Sequence, residues 1–176
     1  GDYHVMISAL VPYKRVDLAI EAARVSGRRL RIIGNGPLRE SLVASASGVA
    51  EFPGWISTDE IMAEVGRARS LILPGVEDFG ITCLEAMACG TPVVALGDGG
   101  ALESVSEGCG VFFDRPDAGL LAEALDRVES ETWDRAVLRA RAREFSKERF
   151  QREYVEIVAR CLRERNVERW MLNVEC

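Results

Sequence analysis

The chain has 176 residues, 48% of them apolar and 28% charged, which is ordinary usage for a soluble globular domain with a proper core. Its 22 basic and 28 acidic residues leave a net charge of −6, which argues against a general nucleic-acid or anionic-membrane surface. No apolar run approaches the ~20 residues that span a bilayer, and no signal-peptide pattern opens the chain.

Strand and helix signals then alternate. Residues 4–10 read as a strand. Val16, Leu18, Ala19, Ala22 and Ala23 recur at helical spacing within 16–25, and Gly27 follows as a C-cap. Residues 30–33 form a second strand, closed by Gly34-Asn35-Gly36-Pro37, with Pro37 opening a short helix over 38–46. A third strand over 50–53 ends near Gly54 and Trp55. Ser57 or Thr58 can cap a helix over 59–68; only Ser57, with Glu60, makes a complete capping box.

Residues 70–73 are the fourth strand, followed by a helix that starts after Gly80 and runs to Gly90. Residues 91–96 are the fifth strand, 101–106 a short helix and 111–113 the sixth strand. From Asp117 onward the pattern is helical only, over about 117–129, 131–144 and 147–165. Near-continuous apolar strands separated by helices indicate a parallel sheet covered on both faces. The expected fold class is α/β, a Rossmann-like doubly wound parallel sheet of about six strands with C-terminal helices.

Five cysteines, an odd number, stand at no metal-ligand spacing. Cys83 and Cys89 fall in or beside a helix and read as small apolar filler, and a reducing cytoplasm fits. His4, the only histidine, sits at the start of the first strand and reads as structural or exposed. No Ser-His-Asp set and no Asp-x-Asp motif is present, so metal-independent chemistry with no cofactor is expected. Cations would then come from side chains and helix ends.

Glu77 and Glu85 are the most informative pair, eight residues apart in Glu77-Asp78-Phe79-Gly80-Ile81-Thr82-Cys83-Leu84-Glu85. One carboxylate lies on the loop leaving a strand and the other about a turn into the next helix. In an open parallel sheet ligands bind at the carboxyl ends of strands. Carboxylates accept from hydroxyls and a helix start accepts phosphate, so a ligand with hydroxyls at both ends and phosphate between fits. A nucleotide-sugar is such a ligand.

Glu77 to Glu85, followed by Ala86-Met87-Ala88-Cys89-Gly90-Thr91-Pro92-Val93-Val94-Ala95, resembles the donor-binding half of family-four retaining glycosyltransferases, which have the two-domain glycosyltransferase B fold. Three further motifs recur in the same order: Val11-Pro12-Tyr13-Lys14-Arg15, Gly34-Asn35-Gly36-Pro37, and Gly99-Gly100 with Glu103. The resemblance covers roughly residues 4–165. It implies transfer of a hexose, with mannose among the candidates, from a nucleotide diphosphate sugar to an acceptor, with retention. It assigns donor phosphate to Lys14, sugar hydroxyls to Glu77 and ribose hydroxyls to Glu85.

It also implies that Phe79, Gly80, Ile81 and Thr82 turn into the phosphate-facing helix, that the Gly36 loop borders the donor and that the nucleobase lies near Trp55. Trp55 could equally plug the sheet edge, Arg15 could be a phosphate ligand or a surface charge, and the Gly34–Pro37 turn could be only a tight strand exit. Gly99 and Gly100 would shape the site's floor, and Glu103 reads as a helix-end charge. In place of the arginine that the family usually carries before Lys14 stands Ala9, so Arg15 or the backbone would have to compensate.

Family enzymes have a first, acceptor-binding domain of similar size. The expectation is therefore that residues 1–176 are one nucleotide-sugar-binding domain, half of an enzyme and inactive alone. The helix over 147–165 would cross to that first domain. Lipid-linked acceptors in the family leave room for peripheral membrane association of the full-length enzyme. Two other readings compete: a sugar-nucleotide epimerase domain, and a non-catalytic nucleotide-sugar-binding or scaffold module.

Overall fold

The computed structural model describes the backbone of residues 1–172 and the side chains of residues 1–164. Six strands form one sheet: β1 (Tyr3–Ile7), β2 (Arg29–Ile33), β3 (Ala50–Gly54), β4 (Leu71–Leu73), β5 (Val93–Leu96) and β6 (Gly110–Phe113). Their spatial order is β3-β2-β1-β4-β5-β6 and every pairing is parallel. This is the doubly wound Rossmann-like sheet that the apolar pattern predicted. β1 and β4 meet in the middle with Val5 opposite Leu71, where the winding reverses.

The helices between strands are α1 (Val16–Ser26), α2 (Arg39–Ser45), α3 (Thr58–Arg67), α4 (Ile81–Cys89) and α5 (Ala101–Ser104), and α6 (Ala118–Ser130) and α7 (Arg135–Arg143) follow the sheet. The period of two along each strand divides the core into two layers. Met6, Ile32, Ile72 and Val94 point to one face, where Ala19, Ala22, Leu121 and Leu125 of α1 and α6 cover them. Val5, Leu71, Val93 and Ala95 point to the other, against Val65, Cys83, Ala86 and Met87 of α3 and α4. Every one of these side chains is buried, and each Val, Leu, Ile or Met among them contributes roughly 1.5–3 kcal/mol of transfer free energy.

Local chemistry sets the helix ends. Ser57 and Glu60 form the reciprocal capping box of α3, the Asp117 side chain accepts from Leu120 N–H at the start of α6, and Gly27 ends α1 in the left-handed region. Pro53 sits on edge strand β3, where a missing N–H is tolerated.

Several boundaries differ from the sequence reading, among them β5 starting at Val93 and α5 ending at Ser104, and four others show a local setting. β1 ends at Ile7 rather than residue 10: Ser8 N–H still bonds to the Ile33 carbonyl at the end of β2, but Leu10 N–H bonds to Asn35 in the β2 exit loop instead of a strand. Pro37 precedes α2 in a turn instead of opening it, since Leu38 N–H is held by the Leu10 carbonyl and α2 starts at Arg39. α7 starts at Arg135, after Asp134 whose side chain accepts from Ala136 N–H. α8 spans Lys147–Leu172 rather than ending at 165, and no glycine or proline interrupts that segment.

The chain divides into two compact units, residues 1–142 and the segment from Arg143 onward. The sheet and both core layers belong to the first. In the second, α8 stacks Phe150 on Tyr154 with ring centroids 5.8 Å apart, and Arg149 pairs with Glu153 one turn on. Among the described residues no helix is long and apolar enough to cross a membrane.

Candidate functional site

A cleft of about 720 Å³ opens at the carboxyl edge of the sheet, over the point where β1 and β4 meet. The exit loops of β1, β2, β3 and β4 and the first turn of α4 build its walls. Lys14 arrives through a 3-10 turn over Pro12–Lys14, whose proline fixes the first φ. Arg15 then adopts φ 52° and ψ 42°, left-handed for a non-glycine residue, and its N–H closes the turn on the Pro12 carbonyl. This reversal starts α1 and leaves Lys14 facing the cleft.

Glu77 comes from the exit loop of β4. Lys14 Nζ donates to Glu77 Oε1, an ion pair whose side chains are only 16% and 20% exposed. Lys14 Nζ also lies 4.9 Å from the centre of the Tyr13 ring, within cation–π range. Gly75 makes the meeting of the two loops possible, because a Cβ there would collide with the Tyr13 carbonyl oxygen and press on Lys14 Cα. Behind Glu77 the exit loop of β5 closes the support. Gly100 N–H donates to the Glu77 carbonyl at 2.7 Å, and a Cβ on Gly100 would strike the Asp78–Phe79 backbone.

Gly80 is the N-cap of α4, at φ 76°, and no side chain caps this helix start. Its first N–H groups, on Ile81 and Thr82, are available to an anion, with the positive end of the helix dipole behind them. Phe79, Gly80, Ile81 and Thr82 all line the cleft. Beneath the turn lies Cys83, fully buried; burial first, and the nearby Glu77 charge second, push its thiol up to about 12.

The opposite wall is apolar. Trp55 stands 90% exposed at the exit of β3, with Ile56 beside it and Ile61 on the first turn of α3. The edge-plug alternative for Trp55 does not hold, because a plug would be covered. The cleft thus has a charged end, an uncapped helix start and an apolar, aromatic end.

Arg15, Glu85 and Gly36 lie outside the cleft wall, and Gly99 and Gly100 pack against the backbone of residues 77–79 instead of forming its floor. Arg15 turns to Asp17, with Nε 3.2 Å from Oδ1, and lines a separate small groove beside Val11 and Leu42. Gly36 packs against Leu10, where a Cβ would lie 2.6 Å from the carbonyl oxygen, so a close backbone approach accounts for the glycine. Glu85 lies one turn beyond Thr82 on the same side of α4, half-buried, and burial raises its pKa above the usual 4.5.

Tyr13, Ile61 and the exposed Asp78 also line the wall, beyond the residues to which the sequence assigns a site role. Tyr13 belongs to a motif that could have flagged it; Ile61 carries no local signal, being placed by the capping of α3. Ala9 lines the cleft and brings no charge to it.

His4 lies far from this edge and is buried, its Nδ1 2.8 Å from Ser70 Oγ. Its Nε2 is 3.2 Å from Glu129 Oε1 without hydrogen-bond alignment. Burial first, then Arg28 and Arg69, push the imidazole down to about 4. Among the described residues no group of three His, Cys, Asp or Glu could hold a metal ion.

Comparison with known proteins places this geometry. At 39% identity over 140 residues, the chain is similar to a GDP-mannose-dependent alpha-(1-6)-phosphatidylinositol monomannoside mannosyltransferase of Mycolicibacterium smegmatis, covering 69% of this chain and 37% of that protein. The enzyme of the same description from Mycobacterium tuberculosis is 36% identical over 152 residues, covering 76% and 39%. The chain therefore spans less than half the length of these relatives. Among solved structures, TarM from S. aureus, crystallised with UDP and alpha-GlcNAc-glycerol, shares the fold with a TM-score of 0.77 at 18% identity, over 88% of this chain and 35% of that one. The family model described as glycosyl transferases group 1 matches residues 2–148, which takes in the sheet, the cleft and the Lys14–Glu77 pair, and the chain belongs to that family.

Proposed function

We propose that the cleft binds the donor of a retaining hexosyl transfer, a nucleoside diphosphate sugar of the GDP-mannose kind. The observation that carries this reading is the meeting of Lys14 and Glu77 beside the uncapped start of α4. The diphosphate lies against Lys14 and the Ile81 and Thr82 amides, with the base toward Trp55 and Ile56. Glu77 accepts from hydroxyls of the sugar, and Glu85 is reached by those of the ribose. As the glycosidic bond breaks, negative charge grows on the leaving diphosphate. Lys14 and the helix start are already placed to stabilise it, so little reorganisation is needed. The names of the two mannosyltransferases favour guanine and mannose.

In this reading the acceptor, and the group that acts on its hydroxyl, belong to a first domain outside this chain. Residues 1–176 then bind donor weakly and do not turn over. The uncharged Ala9 keeps a second reading in play, a module that binds nucleotide-sugar without transferring it.

Calorimetric titration with GDP, UDP, ADP and GDP-mannose tests the proposal, repeated on Lys14→Ala and Glu85→Ala. Preference for guanine nucleotides, weakened about tenfold or more by each substitution, supports it; tenfold corresponds to about 1.4 kcal/mol. Failure of all four to bind, or binding indifferent to both substitutions, counts against it. Transfer to an acceptor by the full two-domain protein separates an enzyme from a binding module.

A further inference from the structure

We propose that the Lys14–Glu77 pair makes the cleft discriminate between a nucleoside diphosphate that carries its sugar and one that has lost it. The proposal rests on the nucleotide-sugar reading above and adds a specificity that neither residue provides alone.

In the ligand-free cleft the two charges satisfy each other. Lys14 is the only cation among the described residues within ion-pair distance of Glu77. Both side chains are largely withdrawn from water, so the attraction is less screened than at an open surface. Neither side chain can retreat with its loop. Gly75 holds the Lys14 backbone against the exit of β4, and Gly100 N–H holds the Glu77 carbonyl. Glu77 faces the buried start of α4, where burial first and the Glu77 charge second raise the Cys83 thiol.

An entering diphosphate draws Lys14 toward itself. Glu77 is then a poorly hydrated carboxylate with no cation, beside an anion, and both effects are unfavourable. A sugar on the diphosphate reverses this, because its hydroxyls donate to the carboxylate and replace the lost ammonium. A bare nucleoside diphosphate has nothing to offer Glu77. The pair therefore acts against the product and not against the donor. After transfer the sugar leaves with the acceptor, Glu77 is stranded again, and reclaiming Lys14 helps expel the diphosphate.

The test is calorimetric titration of GDP and GDP-mannose on the wild-type chain, Glu77→Gln, Lys14→Met, and the double variant Lys14→Met/Glu77→Gln. The expected result is that Glu77→Gln binds GDP about fivefold more tightly than wild type, while its preference for GDP-mannose over GDP collapses. The gain for GDP must vanish when Glu77→Gln is added to Lys14→Met, because it acts through Lys14. If Glu77→Gln leaves GDP binding unchanged or weakens it, the coupling is wrong while the donor site stands. If the gain persists without Lys14, simple removal of a negative charge accounts for it and the pair has no such role. Should neither nucleotide bind wild type or Glu77→Gln, the nucleotide-sugar reading itself fails and takes this proposal with it.

Discussion

Lys14 and Glu77 are 63 positions apart in the chain, yet their charged ends meet over the junction of β1 and β4. Two loops from opposite halves of the winding bring them there, and one glycine sets how closely those loops approach. The site is therefore a product of the sheet order as much as of the two side chains.

Gly75→Ala tests that dependence. The new methyl would drive the β4 exit loop away from Tyr13 and Lys14. A loss of about 1–3 kcal/mol in denaturant unfolding is expected, as for overpacking elsewhere. Nucleotide affinity should fall further than this destabilisation explains, because the pair is pulled apart while the sheet survives. Unchanged affinity in a folded variant would show that the approach of the loops is unimportant.

Ala9→Arg restores a cation at a position that lines the cleft. Arg15 does not fill that role, being turned to Asp17. A charge-assisted bond to phosphate is worth about 1.5–3 kcal/mol, so diphosphate binding should tighten roughly tenfold or more by calorimetry. Most of that gain should disappear at high salt if the arginine remains partly solvated.

Glu85 carries a burial penalty in the empty protein, since burial raises its carboxyl pKa. For an acid whose folded pKa is raised, the favourable state is the protonated one, and the penalty grows as pH climbs past 4.5. Glu85→Gln should therefore raise the melting temperature slightly at pH 7, by about 1–2 °C, with no gain near pH 4. The same variant should bind nucleotide more weakly. Donor affinity of the wild type should rise with pH through the carboxylate range, as Glu85 becomes an acceptor only.

His4 gives the opposite pH signature. Its folded pKa, near 4, lies below the ordinary 6.5, so the neutral imidazole contributes stability that is present above 6.5. That contribution is lost as pH falls from 6.5 toward 4, because the unfolded chain binds the proton more readily. The loss should be about 1–3 kcal/mol, with the nearby Glu129 carboxylate reducing it. Urea unfolding of wild type and His4→Gln between those pH values checks this: the slope with pH should flatten in the variant.

Much of the architecture was legible in local pattern. Strands such as 71–73 and 93–96 are apolar throughout because both faces of a parallel sheet are covered, and Ser57 with Glu60 announces α3 through backbone chemistry alone. The position of Glu77 on a strand exit, and of Gly80 to Thr82 at a helix start, followed from the same pattern.

What the sequence hid were contacts between loops distant along the chain. The direction of Arg15 depends on its left-handed backbone and on Asp17, and neither shows in a motif. Gly36 looks like a turn glycine and Gly75 like the end of a strand, and only the folded loops reveal the atoms they must clear. Ile61 reached the cleft because α3 is aimed at it, which no periodicity records.

The donor is proposed to lie across Lys14, the start of α4 and Trp55. The most direct measurement is a titration of isotopically labelled chain with GDP-mannose, followed by amide chemical shifts. Shifts should concentrate at residues 79–82, around Lys14 and around Trp55, with the region near His4 unmoved. Shifts centred instead on the groove beside Val11 and Leu42, or on the opposite edge of the sheet, would contradict it.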